Sequence, residues 1–238
     1  MFRYFLCLAR LLTLTASSTG IPSASEVRTL VDRLESRYRE ARSLQVSFLE
    51  RYSEDGHVVR VEAGTAFFRR PNKMRWEYDS PENNLFLVDG KTAWFYVPAD
   101  HTVTRVPAKQ STDWRTPLAL LAGGMKTSRV CGRIGLALDE KPESPDNAVL
   151  YCQLRDASGK PQREQAAEVE GVLIEVVRGT GDLARILIRD RGGVAIEFHF
   201  ANWKSNPPLS NSLFRFVVSP SVAIVNAELP PGNRGVNP

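Results

Sequence analysis

The feature that most constrains this chain is an alternation of apolar and polar residues with a period of two, which begins near residue 44 and continues almost to the end. Leu44, Val46 and Phe48 show it first. Because successive side chains of a β-strand point to opposite faces, this period predicts strands. We predict about eleven or twelve of them. They span residues 44–49, 58–69, 73–79, 84–89, 91–97, 102–106, 128–138, 148–155, 171–178, 183–190, 193–201 and 213–218.

The segments between most of these strands are short and have the composition of turns. Examples are Glu54-Asp55-Gly56, Asp89-Gly90 and Pro98-Ala99-Asp100. Glycine, proline, asparagine and aspartate favour tight turns, and connections this short can join only antiparallel neighbours. The sequence therefore predicts one antiparallel sheet that runs as a meander within a single domain.

Two segments have the period of an α-helix instead. Residues 25–42 form an amphipathic stretch whose apolar stripe begins at Val27 and ends at Tyr38. In residues 113–124, Pro117 suits a first helical turn and a pair of glycines ends the pattern. This second helix has a leucine-rich patch that includes Leu118 and Leu121.

Large apolar side chains on the strands require a cover. Met74, Trp76 and Tyr78 alternate with charged residues, and we place four further side chains on the same face, namely Leu85, Leu87, Trp94 and Tyr96. An open sheet cannot leave such a face in water. Two short helices would close the mouth of a curved sheet without filling it, which favours a hollow, whereas periodicity alone favours an ordinary solid core.

The first 24 residues have the pattern of a secretory signal peptide. Arg3 precedes an apolar stretch, and small residues offer cleavage after Ser18 or Ala24. The alternative is an irregular N-terminal helix, because Arg10 interrupts the apolar stretch. We expect no membrane-spanning segment after it. Residues 156–170 form a polar excursion, and residues 227–238 form a Pro/Gly-rich tail that we expect to be flexible.

Charge and reactive residues argue against nucleic-acid binding and catalysis. Removal of residues 1–24 leaves the basic residues almost balanced by the 27 acidic ones, without a basic stripe. We interpret His57, His101 and His199 as residues at or near strand ends with no carboxylate at metal-ligand spacing. The chain has no nucleophile elbow, phosphate loop or dinucleotide motif. We expect no enzymatic activity, metal or cofactor.

Two cysteines remain after the signal peptide. Cys131 and Cys152 lie in two apolar segments that we interpret as one hairpin. In an oxidising compartment they could form a cross-strand disulfide, and two buried free thiols are the alternative.

Residues 64–78 and 88–98 carry the most specific motifs. The first run leads through Arg70-Pro71 to Trp76, and the second joins Asp89-Gly90-Lys91-Thr92 to an aromatic strand. With the helix at 116–123 and Phe214-Arg215-Phe216, these runs resemble the periplasmic outer-membrane lipoprotein carrier family, LolA. The resemblance covers residues 25 to 226.

The resemblance implies a periplasmic, monomeric, non-catalytic carrier with no cofactor. Its fold would be one curved antiparallel sheet forming a half-barrel, closed by a helical lid over an apolar cavity. Such proteins take acylated lipoproteins from an inner-membrane ATP-driven release complex and deliver them to an outer-membrane acceptor. Three alternatives stay open: a lipid-sensing regulator, which usually carries a second domain; an acceptor, which should carry a lipobox cysteine; and a periplasmic hydrolase.

The resemblance also suggests roles for individual residues. Arg70 matches the arginine that latches the lid, because its guanidinium can bond carbonyls at helix ends. The alternative is a solvated arginine in a turn. Leu118 and Leu121 would belong to the lid. The residues that we expect to contact lipid are Leu44, Val46, Phe48, Phe67, Met74, Trp76, Tyr78, Leu85, Leu87, Trp94, Tyr96, Leu118 and Leu121.

Overall fold

A computed structural model describes residues 24–110, 126–155, 159–161 and 169–225 of the chain. These residues contain one α-helix and twelve strands, and all the strands belong to one open sheet. The elements are α1 (Ala24–Arg39), β1 (Ser43–Glu54), β2 (His57–Arg69), β3 (Lys73–Ser80), β4 (Leu85–Val88), β5 (Thr92–Val97), β6 (Thr102–Pro107), β7 (Cys131–Leu136), β8 (Asn147–Leu154), β9 (Val169–Val177), β10 (Leu183–Asp190), β11 (Val194–Ser205) and β12 (Ala223–Val225).

The strands form two meanders that meet at the pair β1 and β11. The order across the sheet is β12-β6-β5-β4-β3-β2-β1-β11-β10-β9-β8-β7. The prediction of an antiparallel meander is therefore confirmed within β1–β6 and within β7–β11. It is wrong between β6 and β7, which lie near opposite ends of the sheet, because a connection as long as theirs need not join neighbouring strands. The terminal pair of β12 and β6 is parallel.

The predicted strand at 213–218 is also wrong. Residues Ser212–Phe214 form a single 3-10 turn, and the last strand comes later, at Ala223–Val225. The alternating Phe214 and Phe216 mimic a strand in sequence, but their rings lie against side chains of the sheet instead. The alternation here reflects packing onto a sheet rather than pairing within it.

Helix α1 packs its apolar stripe onto one side of the sheet, which we call the inner face. Leu30, Leu34 and Tyr38 of this stripe are buried. The Tyr38 hydroxyl accepts a hydrogen bond of 2.9 Å from the backbone N–H of Leu183, and its ring packs on Trp203 at 5.1 Å. The predicted helix 25–42 is thus confirmed, although it ends at Arg39.

Polar contacts fix both ends of α1 to the β9–β10 side. Glu26 pairs with Arg178 at 2.6 Å, and Arg37 pairs with Asp182 at 2.6 Å. The turn between these strands needs glycine at position 181, because a Cβ there would overlap the backbone of α1 and φ is +75°. The helix therefore has a defined position over β7–β11.

Cys131 of β7 and Cys152 of β8 are joined in a disulfide with their Cα atoms 5.3 Å apart. Both residues are buried in the cluster of apolar side chains on the inner face. Because β7 is an edge strand, the bond fastens the end of the sheet to its neighbour.

None of the described helices is long and apolar enough to cross a membrane. The predicted signal peptide at 1–24, except for Ala24, lies outside the described residues, as do the predicted tail at 227–238 and the predicted helix at 113–124.

Candidate functional site

The inner face carries one continuous cluster of buried apolar side chains, with Trp76 at its centre. The Trp76 ring lies 4.7 Å from Phe48, 5.4 Å from Phe198 and 5.9 Å from Phe68, measured between ring centroids. These rings come from β3, β1, β11 and β2, so the cluster spans the junction of the two meanders. The predicted wall residues that the structure places here are Leu44, Val46, Phe48, Met74, Trp76 and Tyr78.

Five predicted wall residues lie on the opposite, outer face. Cross-strand partners share a face, and Trp76 is paired with Phe86, which is paired with Phe95. The residues next to Phe86 and Phe95 must therefore point away from Trp76; they are Leu85, Leu87, Trp94 and Tyr96. Phe67 also points away, because its partner Arg75 is adjacent to Trp76 in β3 and faces the opposite side. Their placement on one face with Trp76 is wrong, because a shift of one residue across a turn exchanges the faces.

Among the residues that sequence reasoning missed are the immediate neighbours of those five. Phe68, Phe86, Val88, Ala93 and Phe95 are buried in the inner cluster. The alternation pattern allowed these residues as well, because each of these strands has apolar residues at both odd-numbered and even-numbered positions. Only the register of the turn decides which set faces inward.

The outer face of β2–β5 has its own cover, residues 209–216. Phe216 stacks on Trp94 at 5.4 Å and contacts Tyr96 at 5.5 Å with its ring tilted, and the Arg69 guanidinium lies 4.6 Å from the centre of the Phe214 ring. These outward aromatic residues therefore hold the C-terminal segment against the sheet.

A polar group lies on the otherwise apolar inner face. The Glu50 carboxylate is buried, and it accepts a hydrogen bond of 2.6 Å from the Tyr78 hydroxyl. Glu62 lies directly across from Glu50 and pairs with Arg60 at 2.8 Å. Buried carboxylates require such donors, because a buried charge without partners is very unfavourable. The apolar cluster thus borders a polar region on β1–β3.

Arg70 connects the β2–β3 turn to the end of α1. Its Nη2 donates a hydrogen bond of 2.8 Å to the backbone carbonyl of Tyr38 and a second one to that of Arg39. Both carbonyls belong to the last turn of the helix, where a cation is also favoured by the helix dipole. Arg70 therefore bonds carbonyls at a helix end instead of standing in solvent. The predicted lid residues Leu118 and Leu121 lie outside the described residues.

Comparisons with known proteins agree with this architecture. Residues 39–137 match the family model of the outer membrane lipoprotein carrier protein LolA. An outer-membrane lipoprotein carrier protein from Coxiella burnetii (strain CbuK_Q154) is 28% identical over 214 residues, which cover 88% of this chain and 92% of the relative. One from Nitrosomonas europaea is 28% identical over 226 residues, covering 92% and 99%. The chain is therefore similar to the LolA family of lipoprotein carriers over most of its length.

A solved structure supports the fold of this LolA-like chain independently of close sequence similarity. An uncharacterized conserved protein from Thermus thermophilus superposes with a TM-score of 0.51 at 13% identity, covering 84% of this chain and 98% of that chain. The fold is therefore shared with a protein of distant sequence.

The LolA-like sheet also carries a charged network on its outer face, centred on His199. The Nδ1 atom of His199 lies 3.1 Å from Glu143, and Nε2 lies 3.0 Å from Glu197. Glu197 also accepts a hydrogen bond of 2.9 Å from Arg185, which pairs with buried Glu175 at 2.8 Å. The expectation that His199 lies near a strand end without a neighbouring carboxylate is wrong, because it lies within β11 and Glu197 shares its face.

The ligand atoms of Glu143, Glu197 and His199 lie within 4.8 Å of one another, close enough to hold a metal ion. The arrangement favours an ion-pair network instead. Each ring nitrogen of His199 faces a carboxylate, which can only accept hydrogen bonds. The Arg51 guanidinium also lies 3.3 Å from Nε2, but the two closer carboxylates favour the doubly protonated imidazolium. Arg185 adds a second cation beside Glu197, where a metal would be repelled.

Stability of the LolA-like fold should depend on pH through this network. The hydrogen bond from His199, with Arg185, holds the pKa of Glu197 at about 2 although burial opposes the shift, and Glu197 in turn raises the pKa of His199. Stabilisation from Glu197 should be present above its ordinary pKa of 4.5 and be lost as pH falls toward 2. Stabilisation from protonated His199 should be complete below pH 6.5 and be lost as pH rises through its raised pKa.

We therefore expect His199→Gln to lower stability by about 1 to 2 kcal/mol at pH 6 and by progressively less as pH increases. Thermal unfolding of both proteins between pH 5 and pH 10 would measure the difference. His57→Gln, at the exposed β1–β2 turn, is the control and should show no such trend. A difference for His199→Gln that does not change with pH would contradict the role of its proton.

Proposed function

We propose that this protein is a periplasmic carrier that binds the acyl chains of lipoproteins released from the inner membrane and delivers them to the outer membrane. The observation that carries the proposal is the inner face, where aromatic and aliphatic side chains from both meanders form one apolar surface beneath α1. The similarity of the chain to outer-membrane lipoprotein carrier proteins supports it. The partners would be an ATP-driven release complex and an outer-membrane acceptor.

The physical need for a carrier follows from the lipid anchor. Each buried methylene is worth roughly 0.8 kcal/mol, so several acyl chains in water would cost on the order of tens of kcal/mol. Aromatic and aliphatic walls match this surface without directional bonds. A guest can therefore be bound firmly and still exchange into a membrane or a second apolar site.

The proposed wall consists of the inner-face residues named above. Leu44, Val46 and Phe48 of β1 and Met74, Trp76 and Tyr78 of β3 supply its centre, and Phe86 and Phe95 extend it toward β5. We assign no lipid contact to Phe67, Leu85, Leu87, Trp94 or Tyr96, because they lie on the outer face. Leu118 and Leu121 remain proposed lid residues.

Arg70 is proposed to act as the latch of the closed form. The guest and α1 would compete for the same inner face, so uncovering that face requires α1 or the lid to move. The bonds from Arg70 to the carbonyls of Tyr38 and Arg39 stabilise the position of α1 on the sheet. They would favour closure once the guest leaves, which makes release favourable without catalysis or a cofactor.

The experiment that tests the proposal is binding and handoff of a labelled lipoprotein. We expect the delipidated, exported protein to keep an acylated lipoprotein in solution as a monomeric complex and to pass it to outer-membrane vesicles. The same lipoprotein without acyl chains, made by replacing its lipid-bearing cysteine with serine, is the control. Equal binding of the two forms, or binding of neither, would contradict a carrier of acyl chains.

A further inference from the structure

Trp76 carries a buried hydrogen-bond donor without a visible acceptor. The side chain is completely buried, and its Nε1 has no hydrogen-bond partner among the residues that the structure describes. The two other tryptophans of the described chain do have acceptors. Trp94 donates to Asp89 at 3.2 Å, and Trp203 donates to the carbonyl of Leu183 at 2.8 Å. Buried tryptophans usually find an acceptor, because a buried donor without one lowers stability.

The ring neighbours of Trp76 supply no lone pair. Its ring neighbours Phe48, Phe68, Phe198 and Phe200 lie within 6.3 Å, and all of them are phenyl rings. A phenyl face can receive an N–H group only as a weak contact. The Tyr78 hydroxyl on the same strand bonds Glu50, and neither oxygen-bearing side chain is within hydrogen-bond reach of the indole N–H. The centre of the inner face thus holds one strong donor among phenyl rings.

We propose that the Trp76 indole N–H binds a carbonyl oxygen of the linkage that joins an acyl chain to its guest. The inference rests on the proposed function for the presence of that guest, and it adds the chemistry that the wall recognises. An ester or amide carbonyl is a neutral acceptor at the start of the hydrocarbon chain, so it can enter this face without an unpaired charge. A phosphate would need cations that the phenylalanines around Trp76 do not provide.

Recognition of a carbonyl would fix the position of the acyl chain along the wall. Apolar contacts alone let an alkyl chain slide along the sheet, because they lack direction. One hydrogen bond in this apolar site holds the carbonyl beside β3, and the rest of the chain then extends along the apolar cluster. The wall would therefore discriminate acyl chains from plain alkyl chains of equal length.

A matched pair of guests tests this discrimination. One is a peptide with a diacylglyceryl-cysteine at its N-terminus, and the other is its dialkyl analogue, in which ether oxygens replace the ester groups. We expect the wild type to bind the ester form on the order of threefold to tenfold more tightly. Trp76→Phe keeps an aromatic ring without the N–H and should bind both forms equally. Trp94→Phe, the same change on the outer face, should keep the preference.

Nuclear magnetic resonance of the indole groups gives a second readout. With ¹⁵N-labelled protein, the Trp76 Nε1–H signal should move downfield when the ester guest binds and should move much less with the ether guest. The Trp203 signal is the internal control, because that N–H already has an acceptor. An unchanged Trp76 signal on ester binding would show that the donor faces a ring, and would overturn the proposal.

The outcomes separate this inference from the proposed function. Equal wild-type affinities for ester and ether guests would overturn carbonyl recognition and leave an acyl-chain carrier intact. Failure to bind either guest would instead contradict the carrier. A diacyl and dialkyl phospholipid pair distinguishes the source of the carbonyl. An ester preference seen with phospholipids alone would overturn the lipoprotein linkage as its ligand.

Discussion

Arg70→Leu should bind acylated lipoprotein and release it at least about tenfold more slowly than the wild type. The substitution removes the two bonds from the guanidinium to the carbonyls of Tyr38 and Arg39. A hydrogen bond to a charged group contributes about 1.5 to 3 kcal/mol. Losing that contribution destabilises the closed form, while the bound form keeps its lipid contacts. The equilibrium therefore moves toward the loaded protein by a factor of ten or more.

The measurement is the rate at which labelled lipoprotein moves from each variant to acceptor vesicles. Arg69→Leu is a matched control from the preceding position, because Arg69 points to the outer face and contacts Ser210 and Phe214 instead of α1. It should release its guest at the wild-type rate. Wild-type release by Arg70→Leu, or an equal slowing in Arg69→Leu, would contradict a latch at Arg70.

Gly64→Ala should lower stability more than any other glycine-to-alanine substitution in the described strands. A Cβ at Gly64 would overlap the carbonyl oxygen and carbon of Glu77, which are backbone atoms and cannot rotate away. The position lies next to an irregularity in the β2–β3 pairing, where the two backbones approach closely. We expect a loss of about 3 kcal/mol or more, because the strands must separate to accept the methyl group.

Thermal unfolding measures this effect as a decrease in Tm of about 6 to 12 °C for a domain of this size. Gly135→Ala in β7 is the control, since a Cβ there would meet no atom within 4 Å and the residue is also in a strand. It should change Tm by little. Equal changes for the two variants would mean that loss of glycine flexibility, and not the overlap with Glu77, governs stability.

The strands and α1 could be predicted from the sequence because each depends on a local period. Tyr38 ends the predicted stripe of the helix, and the structure buries it as expected. The face of each strand depends on the register across the preceding turn, which is not a local property. That is why Trp76 is correctly placed on the inner face while Trp94, two strands further on, is not.

Other features required contacts between distant parts of the chain. The pattern around Phe214 and Phe216 predicted a strand, but packing on Trp94 decides its conformation. The network at His199 needs Glu143, which lies 56 residues away in sequence. Arg70 was identified through its match to a family motif. Its partners on α1 became visible only when the β2–β3 turn was placed beside the end of the helix.

Photo-crosslinking from neighbouring positions of one strand tests the central claim that the inner face binds acyl chains. Phe95 belongs to the inner cluster, and Tyr96 points to the outer face, where it contacts Phe216. A photoreactive phenylalanine analogue at each position, with a lipoprotein labelled on its acyl chains, would report which face the chains touch. We predict strong crosslinking from position 95 and little from position 96. Equal labelling, or stronger labelling from position 96, would contradict the binding of acyl chains on the inner face.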